Sequence, residues 1–171
     1  MERDAWPLEE RYRIELFSES GVDADRLVDF WLEQGALSDR EEAARRVGEA
    51  VHVAIDSDGT IVGVSTTYLA YNEQLRMDLW HQRGYVAEAH RVSSIGMQFA
   101  IRGIDHFEEA FTEGRDVRAG GILQVIENAG IKKYFNRGTE PPTDMTFIGE
   151  NERGDHVRVH WFAGATAPAT A

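Results

Sequence analysis

The sequence predicts an α/β fold of the mixed α+β kind, with a central, mostly antiparallel sheet that contains one parallel strand pair. Three observations predict it. Two hairpin patterns, at 51–68 and 145–161, enclose turns rich in Asp, Asn and Gly, and a hairpin makes antiparallel neighbours. Between them a helical pattern starting near Ser94 joins two apolar strand patterns. Such a strand–helix–strand crossover makes its two strands parallel and right-handed. Ahead of the first hairpin stand one strand pattern and two short helix patterns.

Each element has a local reason. Arg11 to Phe17 alternates polar and apolar residues, as a strand does. Ser20 to Asp23 offers a helix start, Ala24, Leu27, Val28, Trp31 and Leu32 recur at helical spacing, and Gly35 is the stop. Ser38-Asp39-Arg40-Glu41 fits a capping box for a second helix through Ala43, Ala44 and Val47. Val51–Ile55 and Thr60–Tyr68 pair across Asp56-Ser57-Asp58-Gly59, where Asp-Gly supplies positive φ. A strand follows at about 79–87. The next helix keeps Ala100, Ile104, Phe107 and Phe111 on one face and ends at Gly114. Gly121 to Ile126 is nearly all apolar, which predicts a strand covered on both faces. A short helix is expected from Ala129 to Phe135, and Pro141-Pro142 blocks any continuation. Strands at 145–148 and 157–161 close the chain.

The 171 residues fit a single domain, expected over 1–164. The last seven residues, Ala165 to Ala171, have nothing to bury and are expected to be a disordered tail. There is no cysteine, which removes disulfides, thiolate nucleophiles and zinc–thiolate sites, and suggests a reducing compartment, the cytoplasm. Met1 to Pro7 lacks the apolar centre of a secretory leader, and no apolar run approaches the roughly 18 residues needed to cross a bilayer, so no membrane partner is expected. With 30 acidic against 18 basic residues the net charge is -12, which argues against a nucleic-acid partner.

The informative stretch is Tyr85-Val86-Ala87-Glu88-Ala89-His90-Arg91-Val92-Ser93-Ser94-Ile95-Gly96-Met97. A strand ends, a short turn follows, and a helix begins with small residues. The first N–H groups of a helix lack partners in its own ladder, and with the dipole they favour anionic oxygens. Ser93, Ser94 and Gly96 leave room for a pyrophosphate to approach the backbone, and Arg91 adds a cation.

Here the sequence resembles the GNAT superfamily of CoA-dependent N-acyltransferases. Its signature is Arg or Gln, two residues, Gly, one residue, then Gly or Ala, after the fourth strand. Arg91-Val92-Ser93-Ser94-Ile95-Gly96 occupies that frame, with Ser94 where the family usually has Gly. Ser tolerates positive φ poorly, so the departure matters only if the position needs it. The element order of residues 11 to 163 also matches. The resemblance implies that the parallel pair is splayed and takes the acyl-pantetheine arm along its strand edges. It implies that acetyl-CoA or another acyl-CoA is held by Val86, Ala87, Arg91, Val92, Ser93, Ser94, Ile95, Gly96 and Met97, with Asn128 at the end of the fifth strand. The amine of a small molecule or peptide would attack the thioester directly in a ternary complex, with no metal. The family's tyrosine acid falls in the next helix. Counting from Asn128 reaches Phe135, and Tyr134 stands one place earlier. A module of the same fold that binds CoA thioesters without turnover is the alternative.

His81, on the strand leading to the motif, is the candidate base, because imidazole titrates near neutrality. A hydrogen-bonded histidine on a sheet surface is the plainer reading. Glu88 and His90 lie in the turn, too close to the phosphates to reach an acyl carbon. Glu73 and Asp78 are candidates to hold a cationic acceptor, or simply keep the surface wet. His156 and His160 are four apart but in a strand pattern, a poor zinc pair. Asp56 to Gly59 resembles the start of a calcium loop, and Gly120-Gly121 lacks the Lys-Ser or Lys-Thr of a phosphate loop. The last hairpin places Val157, Val159 and Trp161 on one face and His156, Arg158 and His160 on the other. The sheet is expected to end there, so an exposed edge needs covering, and a homodimer is expected.

Overall fold

The computed structural model describes residues 5–91 and 93–167. Val92, the first four residues and the last four lie outside the described residues, so the cofactor role expected of Val92 and most of the expected tail fall there. Eight strands form one sheet, hydrogen-bonded in the order β1-β2-β3-β4-β5-β8-β7-β6. They are β1 (Tyr12–Leu16), β2 (Ala50–Asp56), β3 (Ile61–Asn72), β4 (Met77–Val86), β5 (Gly121–Ile126), β6 (Thr139–Glu140), β7 (Met145–Glu150) and β8 (His156–Trp161). The helices are α1 (Ala24–Glu33), α2 (Arg40–Arg46), α3 (Ile95–Thr112) and α4 (Ala129–Tyr134). Three-residue 3₁₀ turns cover Val47–Glu49 and Glu88–His90. The predicted fold class stands: the strand pairs β1–β2, β2–β3, β5–β8, β7–β8 and β6–β7 are antiparallel, and β4–β5 is parallel.

The chain divides into two compact units. The N-terminal unit comprises Trp6–Thr67 and Gly84–Gly103. Its helices start where carboxylates satisfy exposed donors. The Asp23 side chain accepts from the Arg26 N–H at 2.8 Å. For α2 the cap is Asp39, accepting from the Glu42 N–H at 2.8 Å, rather than the Ser38–Glu41 box. A carboxylate there both caps the helix and complements its dipole. The first hairpin turns as expected, with Gly59 at φ 83° and the Asp56 carboxylate accepting from the Asp58 and Thr60 N–H groups. The sheet of this unit is covered on both faces. Leu27, Val28, Phe30, Trp31 and Ala43 of α1 and α2 pack on Val53, Ile55, Ile61 and Val64. Ile95 and Phe99 of α3 pack on the opposite-facing Tyr12, Ile14, Ala54 and Val62. Each fully buried Leu, Ile, Val or Phe side chain among them contributes about 1.5–3 kcal/mol.

The C-terminal unit comprises Tyr68–Arg83 and residues 104–167, with Ala5. The second half of α3 lays Ile104, Phe107 and Phe111 against Trp80, Ile122 and Phe162. The reverse face holds a smaller cluster of Leu79, Leu123, Val157 and Val159, to which no helical residue belongs. Parallel pairing of β4 with β5 covers Trp80–Ile122, His81–Leu123 and Gln82–Gln124. β5 is buried over Gly121, Ile122 and Leu123, but Val125 is 37% exposed, so the expected two-sided cover holds only for its first half. Gly121 is required: a Cβ there would lie 2.7 Å from the His160 carbonyl oxygen.

The last hairpin is not the end of the sheet. β8 lies inside it, between β5 and β7, and the outermost strand is β6, two residues long, which the sequence pattern did not disclose. The edge-covering argument for a homodimer therefore does not apply to β8. The supposed polar face of that strand is buried as well. The Arg158 guanidinium donates to the carbonyls of Phe135 and Arg137 at 3.0 Å each, and lies 3.7 Å from the buried Glu140 carboxylate. His160 Nδ1 is 2.8 Å from the Thr143 carbonyl oxygen. The segment around 135–145 folds over this face and supplies its polar partners.

Candidate functional site

The signature segment belongs to the N-terminal unit. The Ala87 N–H donates to the Val62 carbonyl at 2.8 Å, which ties the end of β4 to β3. The 3₁₀ turn follows, with His90 Nδ1 2.7 Å from the Tyr12 hydroxyl and its ring edge-on to that phenol. Ser93 closes the turn: its hydroxyl donates to the His90 carbonyl and accepts weakly from the Ile95 N–H at 3.4 Å. The ladder of α3 opens with Gln98 N–H to Ser94 carbonyl, 2.9 Å, so the N–H groups of Ile95, Gly96 and Met97 precede the first ladder bond. The buried Ile95 and Phe99 hold this helix start in place.

Two features decide whether the segment suits a phosphate. The non-glycine residues with positive φ are Arg76 and Asp144 among the described residues, so Ser94 stands unstrained where the resemblance has Gly. Gly96 is exposed, and a Cβ built on it meets nothing within 4 Å. The space in front of the helix start is open. Arg91 is exposed beside it, its Nε donating to the Val86 carbonyl at 3.1 Å and its guanidinium 5.7 Å from the Tyr85 ring centroid. An open groove of about 460 Å³ next to the turn is lined by Thr60, Ile61, Val62 and residues 87–90, with Gln34. Its lining carries the Glu88 carboxylate and no lysine or arginine, which disfavours an anion there. Arg91 and Gly96, outside that lining, remain the anion-binding candidates.

The other candidates belong to the C-terminal unit. His81 lies on the face of β4 opposite Trp80, its ring 5.2 Å from that of Tyr68. Its Nε2 is buried without a hydrogen-bond partner. Burial lowers the His81 pKa, Ala70 opposes that, and the Arg83 charge lowers it further. Burial and the Arg83 charge both work against the imidazolium, the form that could not act as a base. An acceptor atom buried without a partner costs about 1–3 kcal/mol, which a bound donor recovers. Asn128 is exposed and caps α4, its side-chain oxygen accepting from the N–H groups of Gly130 and Ile131. Tyr134 ends α4 and is 79% exposed. Glu73 and Asp78 are both exposed.

Sequence reasoning passed over Arg83 and Tyr68. The Arg83 guanidinium carbon lies 4.3 Å from the Tyr68 ring centroid, on the face that His81 shares. The i, i+2 spacing of His81 and Arg83 on a strand was the available signal. The place of Tyr68 depends on how β3 and β4 pair, which no local pattern states. On the opposite face the Gln124 amide donates to the Gln82 side-chain oxygen at 2.6 Å, at the last register pair of the parallel strands. No group of three or more metal-ligating side chains occurs among the described residues. His156 lies 3.7 Å from Glu150, while His160 turns to Thr143, so they do not share a ligand.

No protein-family model and no curated protein matches the sequence. Solved structures do match the fold. The ribosomal-protein-S5-alanine acetyltransferase from Vibrio fischeri aligns with a TM-score of 0.60 at 14% identity, over 91% of this chain and 96% of its own. A GNAT family N-acetyltransferase, YhbS, from Escherichia coli in complex with CoA aligns at 0.56 and 15% identity, over 92% and 83%. A mutant AtaT toxin bound to the C-terminus of the antitoxin AtaR and acetyl-CoA aligns at 0.56 and 10% identity, over 89% and 94%. At these identities the likeness is one of fold. The chain has the fold of the GNAT acetyltransferases, as the resemblance implied.

Proposed function

We propose that this protein is a CoA-dependent N-acyltransferase that moves an acetyl group from acetyl-CoA to the amine of a small molecule or peptide. The observation that carries the reading is the start of α3. An unstrained Ser94, an open Gly96 and the exposed Arg91 coincide with the signature frame at the end of β4. The pyrophosphate is assigned to the backbone of 93–97 and to Arg91. Val86 and Ala87 are assigned to the pantetheine arm, which would compete with Arg91 Nε for the Val86 carbonyl and with the Val62 carbonyl for the Ala87 N–H. Asn128, whose side-chain oxygen is engaged in its cap, has its amide N–H to offer. His81 takes the proton from the attacking amine, and Tyr134 protonates the departing thiolate. Because Tyr134 is so exposed, water competes for that second role.

Binding of CoA raises the melting temperature by mass action if the reading holds. Release of free thiol with time, across a panel of amines, separates turnover from binding alone. The second reading, a CoA-thioester-binding module without turnover, draws on the exposure of Tyr134 and predicts the thermal shift with no amine-dependent thiol. A single domain in the cytoplasm and a homodimer complete the proposal. The exposed Phe147 and Trp161 are the surface available for self-association, and light scattering at micromolar concentration tests it.

A further inference from the structure

α4 cannot hold itself in place. It is six residues long, Gly130 weakens it from within, and none of its residues is buried. Its two ends are nevertheless fixed. Asn128 caps the start, and Arg158 grips the carbonyls of Phe135 and Arg137 just beyond the finish. Two fixed ends leave a rod free to turn about its axis, and a third, off-axis contact sets which way it faces. That contact is Lys132. Its Nζ donates to the Gly154 carbonyl at 2.8 Å and to the Asp155 carboxylate at 3.1 Å, and the Lys132 and Asp155 side chains are 22% and 11% exposed. The turn that receives it is closed by its own bonds, from the Asn151 N–H to the Asp155 carbonyl at 3.0 Å and from the Asp155 N–H to the Asn151 side-chain oxygen at 2.9 Å. The Lys132 hydrogen bond first, then Asn151 and the Lys132 and Arg153 charges, hold the Asp155 carboxyl below the usual carboxylate range against the opposing effect of burial. Of the 18 basic residues only Lys132 and Lys133 are lysines. A compact ammonium with three donors suits a carbonyl beside a carboxylate better than the flat fork of an arginine.

Residues two apart on a helix point about 200° away from each other. Lys132 facing the turn at 151–155 therefore sends Tyr134 to the other side, where it is 79% exposed. Ile131 lies within about 60° of Tyr134 round the helix and is 44% exposed as well. Left to itself, that apolar surface favours turning inward. We propose that Lys132 and Asp155 are positioning residues, which set the facing of α4 and so present the Tyr134 phenol to the departing thiolate. The inference rests on the acyltransferase reading and on Tyr134 as its acid. In that step the phenol O–H bond breaks as the S–H bond of CoA forms, and the phenoxide regains a proton from water. Lys132 and Asp155 themselves do not touch the reacting atoms.

The test follows thiol release from acetyl-CoA with the best amine of the panel. Lys132→Met is expected to lower kcat by as much as Tyr134→Phe does, about tenfold or less, with KM for acetyl-CoA unchanged. Joined to Tyr134→Phe it adds nothing, because it acts through the phenol. Lys132→Arg restores part of the rate, and Lys133→Met, which removes an equal charge next door, loses none. A pair with a merely structural role lowers the melting temperature and slows both backgrounds alike. That result, or full rate in Lys132→Met where Tyr134→Phe is slowed, overturns the proposal. The facing is also read without turnover. The chain has no cysteine, so Tyr134→Cys takes a nitroxide label at that one position. Its electron spin resonance spectrum is expected to change when Lys132→Met is added and not when Lys133→Met is added, and an unchanged spectrum overturns the proposal. Full rate in Tyr134→Phe breaks the acid assignment instead, and absence of any CoA effect breaks the acyltransferase reading. In either case the spectrum still judges whether Lys132 sets the facing of α4.

Discussion

The two units treat their polar groups differently. In the N-terminal unit both faces of the sheet lie under helices, and the turn is tied down by its own backbone and by Tyr12, Val62 and Val86. In the C-terminal unit one face has a core without any helical residue, and there His81 keeps a buried ring nitrogen without a partner. A satisfied, rigid segment suits the holding of a constant group such as a pyrophosphate. An unsatisfied group suits a proton that must move. On the proposed assignments, affinity and chemistry fall on different parts of the chain, so single substitutions should separate them.

The largest effect is expected at His81. His81→Ala lowers kcat by about 10²–10⁴-fold with little change in CoA affinity. Because burial and Arg83 lower its pKa below the ordinary 6.5, the acid limb of the rate profile lies below that pH. The same shift has a stability consequence. As pH falls below about 6.5 the unfolded chain takes up this proton first, so folding weakens there. A rate profile flat from pH 6 to 9 that also survives His81→Ala breaks the contrast.

Next, Arg91→Glu removes a charge-assisted contact and adds repulsion, weakening CoA by about 100-fold or more without loss of fold, since Arg91 is exposed. Calorimetric titration with CoA checks it, and unchanged affinity moves the phosphate site elsewhere. Arg158→Met sharpens the comparison from the stability side. It strips the buried Glu140 of its cation and two carbonyls of their donor, and should cost about 3–5 kcal/mol in denaturant unfolding. Gly96→Ala is expected to leave stability unchanged or raise it by up to about 1 kcal/mol, since the space is open and alanine favours helix. The same methyl stands where the pyrophosphate approaches, so CoA affinity drops. A stabilised variant with full affinity contradicts the loop assignment. Smallest is Tyr134→Phe, with about tenfold or less in kcat, as water replaces an exposed phenol.

Much of this was readable before the fold was known, for physical reasons. Turns fixed by Gly59, Gly35 and Gly114 punctuate the chain, and each has positive φ. The alternation of 51–68 and the helical stripe of Ile104, Phe107 and Phe111 are local patterns that match the core. Strand order is not local. That β8 lies inside the sheet follows from its pairing with β5, a contact across 30 or more residues, and nothing in the alternation of Val157 to Trp161 announces it. The burial of Arg158 depends on carbonyls of Phe135 and Arg137, which bear no sequence signal. At the candidate site the Arg91–Gly96 frame was legible because backbone and small residues make it. The stack of Arg83 and His81 on Tyr68 was not, because it needs the register of β3 against β4.

β6 has a consequence for the protein in a crowded solution. An outermost strand with a long row of unpaired N–H and C=O groups is a template on which other chains grow. This one is two residues long and runs straight into Pro141-Pro142, which have no N–H to offer. Two imino acids thus act as a stop against intermolecular strand growth on that side. Restoring the N–H next to the strand with Pro141→Ala would extend the template and raise the rate of thermal aggregation, measured by turbidity.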